Sequence, residues 1–180
     1  MLERSIHPWF FSCLFLFFVD KQLCLAHTPP IPASSMTEIS FYFNVRNREL
    51  ALCQLVGKAL MSGKSIAILT GSEAATSAID RLLWEQPPAG FLPHCQADAP
   101  FATATPIIVD HRVELLPRRD ILFNWTQHVA PRFSEYQRLI EIVDSDEELK
   151  AAARTRWIAY KAQGYTPSST DMQELQRPQE

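Results

Sequence analysis

The sequence has few of the residues that hold metals or form disulfides, and none of the usual motifs for either. Its four cysteines, at positions 13, 24, 53 and 95, form no C-x-x-C pair, which argues against a zinc or dithiol redox motif. Its five histidines are scattered and include no H-E-x-x-H motif. We therefore expect no metal site, and we expect Cys53, which lies in a helical pattern, to be a buried thiol.

A strong excess of charge is also lacking. The 180 residues carry a formal net charge of −3, so no global field attracts the chain to nucleic acid. Contact with DNA would need a local patch or a partner protein. The hydrophobic fraction of 47% is ordinary for a globular protein, and the length is typical of one domain with tails.

An apolar run long enough to span a membrane is missing as well. Residues 9–19, WFFSCLFLFFV, are too few to span a bilayer, which needs about 20 apolar residues. This run has the length of a signal-peptide core, and residues 24–26 offer a cleavage pattern. The alternative, which we favour, is an extension upstream of a true start at Met36. We expect residues 1–35 to be disordered and residues 36–165 to form the domain.

No catalytic motif can be recognised, and two phosphate-binding motifs fail on inspection. Gly63-Lys64-Ser65 resembles the end of a P-loop, but residues 58–62 put one residue too many after Gly57, and the segment joins a helix to a strand. Thr70-Gly71-Ser72 joins a strand to a helix, where α/β proteins bind anions, but lacks the G-x-G-x-x-G spacing. Helix capping is the favoured interpretation, and a nucleotide-binding α/β enzyme using this turn is the alternative function.

Periodic apolar segments are what the sequence does have. Alternating strands and helices predict a three-layer, Rossmann-like α/β fold, with a mostly parallel sheet flanked by helices and no functional P-loop. Residues 85–105 are predicted to be a long loop, and residues 166–180 a loose polar tail. The predicted strands are 39–45, 65–70, 106–109, 121–126 and 139–143; the predicted helices are 46–61, 147–163 with Gly164 after its end, and one that opens with a capping box at residues 70–73 and ends at Trp84.

Residues 79–94, IDRLLWEQPPAGFLPH, carry the first candidate binding surface. A helix ends at Trp84, and two prolines brace the loop that follows with Phe91, Pro93 and His94. A braced apolar loop loses little entropy on binding, so it suits a preformed docking surface. The alternative is that Trp84 and Phe91 cap the hydrophobic core.

The last helix carries the second candidate surface. Lys150, Arg154 and Lys161 share one side of the helix, next to a side formed by Leu149, Ala153, Arg156 and Tyr160, with Trp157 at the border. A basic stripe edged by an aromatic ring suits an acidic peptide with an apolar anchor or a terminal carboxylate. The alternative is an ordinary solvated basic face with Trp157 in the core.

Three runs, taken in order, resemble a known family. LLWEQPPAGFLPH, RRDILFNW and IVDSDEELKAAARTRWIAYKAQGY are similar to the chi subunit of bacterial DNA polymerase III, over residues 36–165. The resemblance implies a cytoplasmic accessory subunit without catalysis, cofactor or membrane contact. It implies binding to the psi subunit of the clamp-loader complex and to the acidic C-terminal tail of single-stranded DNA-binding protein, which ends in Phe. DNA would then be reached mostly indirectly.

The resemblance also implies roles for particular residues. Lys150, Arg154 and Trp157 match the tail-binding positions, and Val143 lines their apolar side. Ile158 stands where the family often has a basic residue, which removes one charge contact. The surface for psi, or for another replication partner, is carried over to Trp84, Phe91, Pro93 and His94.

Overall fold

The computed structural model describes residues 36–85 and 91–175. The expectation that residues 1–35 are disordered lies outside these ranges, as do the two prolines before Phe91. Within the described ranges, no helix is both long enough and apolar enough to cross a membrane.

The described chain forms a three-layer α/β fold around one seven-stranded sheet. Every paired strand is parallel to its neighbour, so the predicted mostly parallel sheet is parallel throughout. The spatial order is β3-β4-β2-β5-β6-β1-β7. The strands are β1 (Glu38–Val45), β2 (Ile66–Leu69), β3 (His94–Cys95), β4 (Ile107–Asp110), β5 (Ile121–Asn124), β6 (Arg138–Asp144) and β7 (Ser168–Asp171).

Helices cover both faces of the sheet. On one face, α1 (Arg48–Met61) and α2 (Glu73–Glu85) bury Leu52 and Leu83 against the sheet, and we call the hydrophobic cluster on this face the first core. On the other face, α3 (Glu147–Ala162) buries Tyr160 against the sheet, and the cluster there is the second core. The central strands β2, β4 and β5 are buried along their whole length, as expected of strands covered on both sides. A short helix, α4 (Met172–Leu175), follows β7.

Side-chain caps set where the helices begin. The side chain of Asn47 accepts a hydrogen bond from the Leu50 N–H at 2.8 Å, so α1 begins two residues later than predicted. The Ser72 hydroxyl accepts one from the Ala75 N–H at 3.2 Å, so Ser72 caps α2. The predicted capping box from Thr70 is therefore wrong, although the helix does open at this turn. Gly164 follows α3 with a φ of 87°, as predicted.

Two short strands lie where none was predicted. β3 falls within the predicted loop 85–105 and pairs with β4 through two residues. β7 falls within the predicted loose tail and pairs with residues 40–43 of β1, while Met172 just after it is 8% exposed. The expectation of a loose tail is therefore wrong for residues 168–175. The sequence SSTD has little intrinsic strand preference, and the open edge of β1 is what orders it.

Candidate functional site

A groove runs between α3 and the neighbouring strands β6, β1 and β7. Its cavity volume is about 570 Å³, within the range of ligand pockets. Side chains from all four elements line it, and they include each of the four residues that the resemblance assigns to tail binding. The lining residues are Phe41, Phe43, Asn44, Val143, Asp144, Lys150, Ala153, Arg154, Trp157, Ile158 and Ser169.

The floor of the groove is apolar. Phe41 and Val143 are 4% and 6% exposed, and both belong to the core beneath α3. The Trp157 ring meets the Phe41 ring edge to face, with centroids 5.0 Å apart and planes at 63°. Trp157 itself is only half-buried. It therefore packs on the core and also presents its indole to the groove, so neither a purely solvated nor a purely core position describes it.

Two cations stand on the helical wall, one turn apart. Arg154 is exposed, and within residues 36–85 and 91–175 it makes no hydrogen bond or ion pair. The Lys150 ammonium lies 2.9 Å from the carboxylate of Glu147, which is 78% exposed. That hydrogen bond and the charge of Arg154 lower the pKa of Glu147. Exposed pairs of this kind contribute little free energy, so an incoming carboxylate can displace Glu147.

A third cation of α3 is committed to the interior. Arg156 is 4% exposed, and its guanidinium lies 2.9 Å from the carboxylate of Glu141, which is fully buried. The same carboxylate accepts hydrogen bonds from Asn124 and Tyr160 at 2.8 and 2.9 Å. The predicted division of α3 is confirmed over most of the helix, since Ala153, Arg156 and Tyr160 are buried while Arg154 and Lys161 are exposed; in the first turn, Leu149 and Lys150 are both half-buried.

Several groove residues were not predicted from the sequence. Phe41 and Phe43 alternate along β1, and this period of two could have placed both on the α3 face. Asn44 and Ser169 carry no comparable signal, because their place depends on a bulge in β1 and on the unpredicted β7. Ile158 also lines the groove and is 67% exposed.

The second predicted surface lies beside β3. Trp84 and Phe91 are 61% and 67% exposed, and their ring centroids are 5.4 Å apart. Residues this exposed do not cap the core. Pro93 is half-buried. His94 is 7% exposed and lies 5.2 Å from the Trp84 ring, and its two ring nitrogens are 2.7 and 3.1 Å from the carbonyl oxygens of Leu92 and Asp80. Its ring therefore supports Trp84 from beneath.

The candidate phosphate-binding segments have structural roles. Gly63-Lys64-Ser65 forms the turn from α1 to β2, the reverse of the P-loop order. At the other turn, the Thr70 and Thr76 hydroxyls are 2.6 Å apart and Ser72 caps α2. In the part of the chain that the structure describes, no cluster of three or more potential metal ligands occurs.

Comparison with known proteins identifies the family that this chain resembles. The family model for the DNA polymerase III chi subunit, HolC, matches residues 36–168. DNA polymerase III subunit chi of Haemophilus influenzae is 31% identical over 137 residues, covering 73% of this chain and 95% of the relative. The Escherichia coli subunit chi is 28% identical over 118 residues, covering 65% of this chain and 80% of the relative.

A solved structure supports the fold alone. The C-terminal domain of the DEAD-box protein Dbp5 superposes with a TM-score of 0.55 at 10% sequence identity. The match covers 77% of this chain and 92% of that domain. At this identity the likeness concerns the α/β architecture only.

Proposed function

The chain belongs to the family of the DNA polymerase III chi subunit, an accessory subunit rather than the catalytic one, and we propose that it bridges two partners during DNA replication. One partner is the psi subunit, which links chi to the clamp-loader complex. The other is the acidic C-terminal tail of single-stranded DNA-binding protein. The bridge acts in the cytoplasm, needs no cofactor, and reaches DNA mostly through these proteins.

The observation that carries the proposal is that Lys150, Arg154 and Trp157 line one groove with an apolar floor. An acidic tail that ends in Phe needs both features at once. Its carboxylates gain charge-assisted hydrogen bonds from the two cations, and a guanidinium can hold a carboxylate by two parallel bonds. Its terminal ring gains burial against Phe41, Val143 and Trp157.

The exposed pair Trp84 and Phe91, with Pro93 and His94 around it, suits psi. Exposed aromatic side chains that are held in place by packing against buried residues are typical anchors of protein interfaces. The pair lies beside β3 at one end of the sheet, and the groove lies beside β7 at the other. The strands that line the groove are four to six strand spacings from β3, and at about 4.8 Å a spacing the two surfaces are roughly 20–30 Å apart, so both partners have room to bind together.

Tethering makes use of weak contacts. A coated single strand presents many tails, so release of one is followed by capture of another at high effective concentration. Tail affinity therefore need not be high for the bridge to hold.

A peptide titration tests the proposal. We expect an acidic peptide ending in Phe to bind, measured by fluorescence anisotropy, with affinity that falls as salt rises. Arg154→Ala should weaken binding by about 2 kcal/mol, roughly thirtyfold in Kd, as for a hot spot. Lys58→Ala is the matched control, since Lys58 is an exposed cation on α1 across the sheet. Equal affinities for Arg154→Ala and the control would remove Arg154 from the site, and no binding by the unaltered protein would end the proposal.

A further inference from the structure

One end of the groove is built by β7, the last strand of the described chain. In the parallel ladder, Ser169 pairs with Phe41 and Asp171 with Phe43. Alternate residues of a strand point to opposite faces of the sheet, so Ser169 is on the same face as Phe41, beneath α3. Ser169 is exposed and lines the groove, while Thr170 pairs with Tyr42 on the α1 face.

A specific contact holds β7 against β1. Asn44 has a φ of 57°, in the left-handed region that non-glycine residues rarely adopt, and the register of β1 shifts between Tyr42 and Val45. In this bulge the Asn44 side chain donates a hydrogen bond to the Asp171 carboxylate at 2.9 Å. Met172, 8% exposed, then anchors the end of the strand in the first core. β7 is therefore fixed at its C-terminal end, just after its contact with the groove.

Ser169 lies at the apolar part of the groove. Its ladder partner Phe41 meets the Trp157 ring at 5.0 Å, and Ile158 follows Trp157 on the rim. Lys150 is nearer the first turn of α3, and Asp144, which also lines the groove, is the last residue of β6. An acidic peptide with an apolar terminal residue would place that residue at the end of the groove where Ser169 stands.

Resting on the proposed binding of the acidic tail, we propose that Ser169 is a specificity-determining residue of the groove. Its small side chain leaves room beside Phe41 and Trp157 for an aromatic terminal residue, and β7 is the wall that sets this limit. The partner class is therefore an acidic peptide whose last side chain is large and apolar. The segment after α3 is part of the binding site rather than a tail beside it.

The test places bulk at position 169 and at its neighbour on the opposite face. Ser169→Tyr is expected to weaken binding of an acidic peptide ending in Phe at least tenfold by fluorescence anisotropy, and Thr170→Tyr to leave it within twofold. A second peptide ends in Ala instead of Phe. Because it has no ring to exclude, Ser169→Tyr should bind it as the unaltered protein does.

The outcomes separate this inference from the proposed function. If the unaltered protein binds the Phe peptide and Arg154→Ala weakens it, but Ser169→Tyr does not, only the role of Ser169 is wrong. Equal losses in Ser169→Tyr and Thr170→Tyr would mean a disturbed sheet edge and would also overturn it. If the unaltered protein does not bind, both proposals fall. Ser169→Glu, which puts a negative charge at the same wall, carries the test should the tyrosine variant not fold, and thermal melting checks each variant.

Discussion

At the scale of single residues, burial decides which cations of α3 are available to a partner. Arg156 is held against the buried carboxylate of Glu141, whereas Arg154, two positions earlier, faces the solvent. Sequence periodicity separated these two residues correctly, because their angular positions on a helix differ by about 200°. It could not identify Glu141 as the partner, because that residue comes from another element across the core.

Asp110 gives a prediction for the dependence of stability on pH. Its side chain is fully buried and accepts hydrogen bonds from the Arg112 guanidinium at 2.8 and 2.9 Å. Burial alone would raise the pKa of Asp110, but these bonds and those from the Arg112 and Ala97 N–H groups lower it to about 2. A lowered carboxyl pKa stabilises the fold above the unfolded-state pKa of about 3.9, and this contribution is lost as pH falls toward 2.

The free energy of unfolding, measured by urea denaturation, should fall between pH 5 and pH 2 in both proteins. We expect this fall to be about 2 kcal/mol smaller in Asp110→Asn than in the unaltered protein. Glu135 and Asp120, whose pKa values are also lowered, remain in both proteins, so the difference isolates Asp110. Parallel pH profiles for the two proteins would contradict this role.

At the scale of elements, segments with strong internal periodicity were predictable and segments defined by distant partners were not. The helix at 147–163 and the buried strand near Ile68 carry their own signals in spacing and composition. β7 and the two-residue β3 do not, because each exists only through its ladder to another strand, which for β7 is the first strand of the described chain. The groove divides in the same way: Lys150, Arg154 and Trp157 were found on one helix, while Ser169 was missed with its strand.

The end of α3 gives a prediction about glycine. Gly164 has a φ of 87°, where a side chain is strained, although a Cβ there would meet no atom within 4 Å. We expect Gly164→Ala to lower the free energy of unfolding by about 1 kcal/mol, measured by urea denaturation. Gly71 also has open space and no left-handed φ, so Gly71→Ala is the matched control and should stay within about 0.5 kcal/mol. Equal losses of unfolding free energy in the two variants would mean that the left-handed φ of Gly164 does not matter for the stability of the end of α3.

At the scale of the whole molecule, the two candidate surfaces lie at opposite ends and on opposite faces of one sheet. Trp84 projects from α2, which covers the first core, and the groove opens under α3, over the second core. Neither surface shares a side chain with the other. Perturbations of one are therefore expected to leave the other intact, since distant sites without shared partners are usually additive.

This separation predicts a reciprocal pattern in binding experiments. Trp84→Ala or Phe91→Ala should weaken psi binding by about 2 kcal/mol, as for interface hot spots, and leave tail-peptide affinity unchanged. Arg154→Ala should do the reverse. Calorimetry with purified psi and with the peptide measures both arms on the same preparations. Loss of neither partner in the aromatic variants would mean that Trp84 and Phe91 are not an interface, and loss of both would mean that the surfaces are coupled.

The parallel sheet also determines how the proposed bridge would bear load. Because β3 and β7 are the outermost strands, the line between the two ends crosses the strands rather than following them. A pull exerted by a moving polymerase on one side and an anchored protein coat on the other would act along the hydrogen bonds that join neighbouring strands. Those bonds would be stretched directly instead of sheared, which is the direction in which a sheet resists force least.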